Sequence, residues 1–420
     1  MVTALAFGGR GIVRHEGLVV FIPFTAVGDQ IEFKILSKKK NYAEGELIQI
    51  LKASHERITP RCIHFGVCGG CQLQHLKYHA QVDAKRLWVE EALKRMGGWE
   101  DAVVPPLIEA QSVWEYRRRV ALHLEKGNIG YVAADHQTFF PVEECPIFVH
   151  EDLPILEQVR ALVQLLECSG VDDGRVNLAK TPGDGFMLDF HFSSMPPNAE
   201  AVLSRYAEKV PLALGLLATA PGRHLSYGIT EAQFSVEGLT FSYSTRTFTQ
   251  NHPGQSALIY QELVQQTLAG GRGTVLDLYC GIGVSSLLLA REGVHVIGVE
   301  SNPESIRLAQ INQQLNKLKP VTFLTADVAL VLPKLLKQER PQTVILNPPR
   351  EGLEKRICEA LVANPPERLL YVSCMPSTLA RDLKRLRSQF QPVSVKAFDM
   401  FPQTTHVETL LSASRIGITG

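Results

Sequence analysis

A chain of 420 residues, 45% hydrophobic and 20% charged, carries enough apolar material for two or three domains of an ordinary soluble protein. Its 43 basic residues balance its 43 acidic ones. That excludes a global field for holding a polyanion and leaves the task to local patches such as Lys38-Lys39-Lys40 and Arg117-Arg118-Arg119.

Residues 1–10 lack the layout of a signal peptide, and no apolar run approaches a membrane span, so a cytoplasmic protein without membrane contact is expected. In a reducing compartment, clustered cysteines point to a metal or to catalysis rather than to disulfides.

Residues 1–56 predict a small β-barrel. Apolar runs at 18–23 and 30–35 are broken by Gly8-Gly9, Gly17, Gly28-Asp29 and Gly45, and Ile31, Phe33 and Ile35 alternate toward one face. A cysteine-bearing segment follows at 57–73. Residues 76–98 have helical spacing, with Lys85, Arg86, Glu90, Glu91, Lys94 and Arg95 on the polar side. Residues 106–247 are mixed and strand-rich. From about 272, strands at 274–279, 294–300, 321–325, 342–347, 367–373, 392–398 and 405–412 alternate with helical stretches, the pattern of a doubly wound α/β sheet.

Cys62-x5-Cys68-Gly69-Gly70-Cys71 and the distant Cys145 supply four thiols. Such a set suits zinc or a 4Fe–4S cluster, and spacing does not choose between them. Cys168, Cys280 and Cys358 stand apart and read as core or edge thiols. Tyr116-Arg117-Arg118-Arg119 sets an aromatic beside three cations, as an RNA-contacting strand or as a surface strand with scattered charge.

At 274–283 an apolar strand enters a Gly-rich turn and then a helix, a place where backbone amides face a ligand. A dinucleotide fingerprint would want glycine where Ser286 stands. An acid, Asp277, ahead of Gly281-Ile282-Gly283 resembles instead the first motif of S-adenosylmethionine-dependent methyltransferases. Glu300 at the next strand end suits a ribose diol, and Asp327 after the third suits the adenine side. Each acid alone reads equally as a loop residue; three in register point to one ligand.

The fourth strand ends in Asn347-Pro348-Pro349-Arg350, the prolines stiffening the exit. Amino-methyltransferases carry an aromatic after Asn-Pro-Pro, so Arg350 argues against that chemistry. Cys374 lies where the fifth strand breaks toward a basic helix, a usual site for chemistry in α/β enzymes. Phe401-Pro402-Gln403-Thr404-Thr405-His406-Val407-Glu408 follows.

Together these motifs resemble the RNA 5-methyluridine methyltransferase family over nearly the whole chain, and within it the TRAM-containing iron–sulfur enzymes acting on 23S rRNA. The resemblance implies an OB-like TRAM barrel at 1–56, a central α+β domain from 57–73 and 106–247, and a class I methyltransferase domain from 74–105 and 248–420. It implies a 4Fe–4S cluster on Cys62, Cys68, Cys71 and Cys145, with zinc as the alternative. S-adenosyl-L-methionine would be held by Gln250 of Phe248-Thr249-Gln250, and by Asp277, Tyr279, Gly281, Gly283, Glu300, Asp327 and Asn347. RNA would meet Arg117, Arg118 and Arg119, and the protein would act as a monomer.

In this chemistry a thiolate, from Cys374, adds to uracil C6 and makes C5 nucleophilic. After methyl transfer a base, Glu408, removes the C5 proton so that the thiol is eliminated. Asn347 and Arg350 would hold the uracil edge and the developing enolate. Two departures from the family pattern stand out: Asn347 replaces an aspartate, and His252 replaces an asparagine. The rival readings are the same reaction on tRNA and, given Asn347, a non-catalytic RNA-binding or folding factor.

Overall fold

In a computed structural model, described at all residues except 134, 136, 149–153, 167–173, 184, 210–211 and 418–420, the chain forms four β-sheets among the described residues. Cys168 lies outside the described residues.

The N-terminal sheet runs Ala4–Leu5, Gly11–His15, Leu18–Ile22, Tyr42–Lys52, Gln30–Lys38. Ile31 and Phe33 pack on Val13, Val20 and Ile22, as their alternation predicts. Ile35, expected beside them, is exposed where the pairing slips between Ile35 and Ser37. The buried Asp29 carboxylate accepts the Ala26 and Ser54 amides and pairs with Arg57, tying the barrel to the cysteine segment.

The middle sheet runs Arg223–Gly228, Ala213–Ala220, Phe186–His191, Gly174–Lys180, Arg119–Glu125, Asn128–Val132, Phe139–Pro141. Its apolar face, with Leu122, Leu178, Phe190 and Leu216, is covered by Val159 and Leu162 of one helix and Leu203 of another.

The C-terminal sheet runs Thr322–Thr325, Val296–Glu300, Val275–Leu278, Thr343–Leu346, Arg368–Ser373, Glu408–Arg415, Phe390–Phe398. The first five are parallel; Glu408–Arg415 enters antiparallel between its two neighbours. Helices cover both faces, which is why Val275, Leu276, Val344, Ile345 and Leu346 form unbroken apolar runs. Strand order reverses at Val275–Leu278, so a crevice opens at the carboxyl ends on either side of it.

The expected helix at 76–98 is Tyr78–Arg95, and it buries Val82, Val89 and Leu93 with Leu379, Leu383 and Leu386 of the helix that follows Cys374. One residue departs from its expected polar side. Lys85 is fully buried, its ammonium donating to Asp399 Oδ1 at 2.6 Å and to the Phe401 carbonyl at 2.9 Å. A partner so far along the chain leaves no mark on the helical pattern. Among the described residues no helix is long and apolar enough to cross a membrane.

Candidate active site

The turn after Val275–Leu278 is held open by backbone geometry. Tyr279 and Gly281 have φ of 64° and 55°, and the Tyr279 and Cys280 amides donate to the Val299 carbonyl at 2.8 and 3.1 Å. A Cβ on Gly283 would strike the Phe323 ring at 2.9 Å, so that glycine serves packing; one on Gly281 would meet nothing within 4 Å, so that glycine faces free space. The space is a cleft of about 400 Å³ lined by Gln250, Tyr279, Gly281 and Asn347 together with Phe248 and Tyr260, the size of a nucleotide-type ligand pocket.

Four expected donor-site residues thus share one cleft, while the three acids fare differently. Asp277 is turned inward and fully buried, its Oδ2 accepting the Ser285 and Ser286 hydroxyls at 2.6 Å each. It braces the start of the helix Val284–Arg291 instead of reaching the cleft, and burial holds its carboxyl above the usual range. Glu300 accepts the Gly281 amide at 3.2 Å and the Asn302 amide at 2.9 Å, so its carboxylate stands against the glycine loop. Asp327 caps the helix Val328–Glu339 through the Ala329 amide at 2.8 Å and pairs with Arg356 at 3.4 Å. Position at a strand end does not separate ligand binding from capping, which uses the same residue type.

The second centre follows from strand register. Ser373 pairs with Thr409 in the antiparallel ladder, so the next residues outward, Cys374 and Glu408, come out opposite each other. Burial, then the Glu408 charge, pushes the Cys374 thiol up to about 11, with Arg350 acting in the opposite sense from within hydrogen-bonding reach. Burial raises Glu408 to about 8, again countered by Arg350. Asn347, at the end of its strand, lines the donor cleft, and Tyr260 both lines that cleft and feels the Glu408 charge. Cleft and thiol–carboxylate pair are therefore neighbours.

Residues 399–407 lead into Glu408 and are gripped from far away in sequence. Gln403, at φ 71°, accepts the Gln72 and Leu73 amides on its carbonyl, while its side chain and amide bond Gln81 at 3.0 Å each. The Tyr116 hydroxyl donates to the Pro402 carbonyl at 2.9 Å. His406, singled out by nothing in the sequence beyond its motif, takes Arg350 at 3.3 Å on Nε2, and burial lowers it to about 4. His252, the second departure, caps the helix Pro253–Ala269, bonds the Ser112 carbonyl at 2.9 Å and stacks on Tyr116 at 4.9 Å. With both nitrogens engaged and burial lowering its pKa, it is a neutral structural residue.

The four thiols Cys62, Cys68, Cys71 and Cys145 line one cavity of about 50 Å³, several times the space of a single water by the same measure. Burial raises both the Cys68 and Cys145 thiols, countered in part by the Gly70 amide donating to Cys68 Sγ at 3.3 Å, the Tyr131 hydroxyl donating to Cys145 Sγ at 3.7 Å and the Arg117 charge. The donor set is that of a thiophilic metal group. Among the described residues no group of three or more His, Cys, Asp or Glu side chains is placed to hold a metal, so the four thiols share a cavity without forming a ready-made metal site.

The three arginines expected to contact RNA are placed differently in the structure. Arg117 lines the thiol cavity. Arg119 is spent on the carbonyls of Thr245 and Thr247. Arg118 lines the donor cleft, as Arg119 also does. Only Arg119 belongs to a strand, Arg119–Glu125; Arg117 and Arg118 lie in the irregular segment before it.

A family model described as tRNA (Uracil-5-)-methyltransferase matches residues 199–415, and one described as TRAM domain matches residues 1–48. An uncharacterized RNA methyltransferase of Protochlamydia amoebophila is 41% identical over 99% of this chain and 97% of its own. One from Gloeobacter violaceus is 32% identical over 99% of this chain and 95% of its own. The crystal structure of Pyrococcus abyssi tRNA (uracil-54, C5)-methyltransferase in complex with S-adenosyl-L-homocysteine superposes with a TM-score of 0.75 at 24% identity, covering 98% of this chain and 99% of that one.

Proposed function

Since the chain belongs to the RNA uracil-5-methyltransferase family and is a methyltransferase dependent on S-adenosylmethionine, we propose that it methylates C5 of a uridine in 23S rRNA through covalent catalysis by Cys374 and Glu408. The observation that carries the mechanism is the register that sets these two residues opposite each other beside Arg350, at the edge of the donor cleft.

Cys374 adds through sulfur to uracil C6, the ring's electrons moving toward O4 to leave an enolate with a nucleophilic C5. Arg350 favours the thiolate and faces the negative charge that develops. S-adenosylmethionine would be held by Gln250, Tyr279, Gly281, Glu300 and Asn347 and would supply the methyl group as an electrophilic sulfonium. Glu408 then takes the C5 proton, the electrons return to form the C5–C6 double bond, and the C6–S bond breaks. Asn347 offers its side-chain oxygen to uracil N3–H, without the charge an aspartate would bring. A uracil stacked in a duplex hides C6, so the target base sits in a loop or is flipped out. Arg118 and the N-terminal barrel contact the RNA, in a three-part chain divided at 1–56, 57–73 with 106–247, and 74–105 with 248–420.

For the thiol cavity the proposal is a structural 4Fe–4S cluster on Cys62, Cys68, Cys71 and Cys145. Four thiolates ~2.3 Å from one zinc ion stand within ~4 Å of one another, whereas a cluster bonds each to a separate iron and needs more room. What supports the cluster is the convergence of the four thiols on one cavity; among the described residues none of their groupings is already placed to hold a metal.

The choice of 23S rRNA rests on the conjunction of TRAM barrel and four-thiol site. Methylation of tRNA is the second reading, favoured by the family description and by the Pyrococcus abyssi enzyme. Incubation with labelled methyl donor and unmodified 23S rRNA or tRNA, followed by mapping of the product, decides between them. Tight binding without transfer to either RNA would leave only the non-catalytic factor.

A further inference from the structure

Arg350 is an exposed residue on a surface loop, yet its charge is felt at both Cys374 and Glu408. The two prolines fix the chain only as far as 349. Beyond them the loop is seized by the helix Pro376–Leu386, which starts two residues after Cys374. Thr378 Oγ1 donates to the Arg350 carbonyl at 3.3 Å, and Arg381 donates to the carbonyls of Glu351 at 2.7 Å and Leu353 at 3.3 Å.

At the centre of this grip is Asp382, fully buried. Its carboxylate accepts the Leu353 amide at 2.7 Å, the Tyr371 hydroxyl at 3.0 Å, Arg381 Nε at 2.9 Å and Arg385 at 3.1 Å. The loop comes so near that a Cβ on Gly352, at φ +74°, would lie 2.5 Å from Asp382 Oδ2. Tyr371 belongs to the strand that delivers Cys374. One carboxylate thus joins the nucleophile's strand, the nucleophile's helix and the Arg350 loop.

We propose that Asp382 is a positioning residue for the reaction, holding the 350–353 loop so that the Arg350 guanidinium stays against the Cys374 sulfur. It forms no bond to substrate and moves no proton; the bonding changes are those given above. The proposal rests on the reading of Cys374 as nucleophile, and its test is chosen to stand apart from that reading.

The test is the pH profile of Cys374 alkylation by iodoacetamide, without RNA or methyl donor, read by peptide mass spectrometry in wild type, Asp382→Asn, Gly352→Ala and Arg350→Ala. All three variants should react about tenfold more slowly at pH 8, with midpoints displaced upward by about one unit. Asp382→Asn added to Arg350→Ala should change nothing further, because the two act in series. Folded Asp382→Asn or Gly352→Ala protein with the wild-type profile overturns the proposal, and so does full additivity with Arg350→Ala. Asp382→Asn leaves two arginines without their counter-charge; if it does not fold, Gly352→Ala, which removes no charge, decides alone. Failure of the wild-type protein to methylate RNA would sink the nucleophile reading and leave the alkylation result as it stands.

Discussion

Lys85 Nζ lies 2.6 Å from Asp399 Oδ1 with both side chains wholly buried, although 314 positions separate them in the chain. Burial pulls the Lys85 ammonium below its usual range and Asp399 pulls it back. Lys85→Met leaves a carboxylate in the interior without its counter-ion, at an expected cost of ~3–5 kcal/mol. Urea denaturation should show that loss, and Lys85→Met with Asp399→Leu should recover most of it. A double variant as unstable as the single one would mean that the surrounding packing, not the charge, matters.

Glu408, raised to about 8, is mostly protonated at neutral pH, so kcat/KM should climb as pH rises through about 8. Glu408→Gln should lower the rate by ~10²–10⁴-fold and accumulate a methylated RNA adduct on Cys374, visible as a shifted band on a denaturing gel. Cys374→Ala should form no adduct with 5-fluorouridine RNA.

The same substitution carries a stability prediction of definite sign. The folded pKa lies above the ordinary 4.5, so the stability Glu408 contributes is fully present below about 4.5 and lost as pH rises through about 8. Glu408→Gln should therefore raise the melting temperature more at pH 9 than at pH 5. Calorimetry at both values checks it; equal shifts would remove the buried charge as the cause.

Asn347→Asp should raise kcat/KM by about tenfold, since a hydrogen bond to a charged acceptor is roughly twice as strong as one between neutral groups. An unchanged rate on both rRNA and tRNA would show that position 347 does not touch the reacting edge of the base.

Anaerobically purified protein should contain about four irons and four sulfides per chain, and Cys71→Ser should lose them together with several degrees of melting temperature. One zinc per chain would replace the cluster; iron lost with the melting temperature intact would end the structural role.

Arg118→Ala should weaken RNA binding and reduce the slope of log affinity against log salt by about one. Arg119→Ala should destabilise the fold without changing that slope, its guanidinium being committed to Thr245 and Thr247.

Much of this architecture was legible because it is local. Strand ends and glycine turns announce themselves within ten residues, and Cys374, Glu408, Asn347 and Arg350 each sit in a short motif. The shift of the last strand, from the expected 405–412 to Glu408–Arg415, has a distant cause: residues 399–407 are drawn into a loop by Gln72, Gln81 and Lys85. The surroundings of Asp277 were hidden for a different reason. Its place before Gly281-Ile282-Gly283 suits a ligand contact, and only three dimensions reveal the two serines one turn away that take its oxygen.

The strand Glu408–Arg415 is inserted between two strands made earlier, and it brings the carboxylate to a thiol already in place. On the proposed mechanism, a chain cut between 375 and 407 would carry the nucleophile Cys374 without the base Glu408 that releases it. With the proposed releasing group on the last strand in sequence, turnover would require that strand in its place, and truncation before it would be expected to give dead-end adducts rather than a slow enzyme.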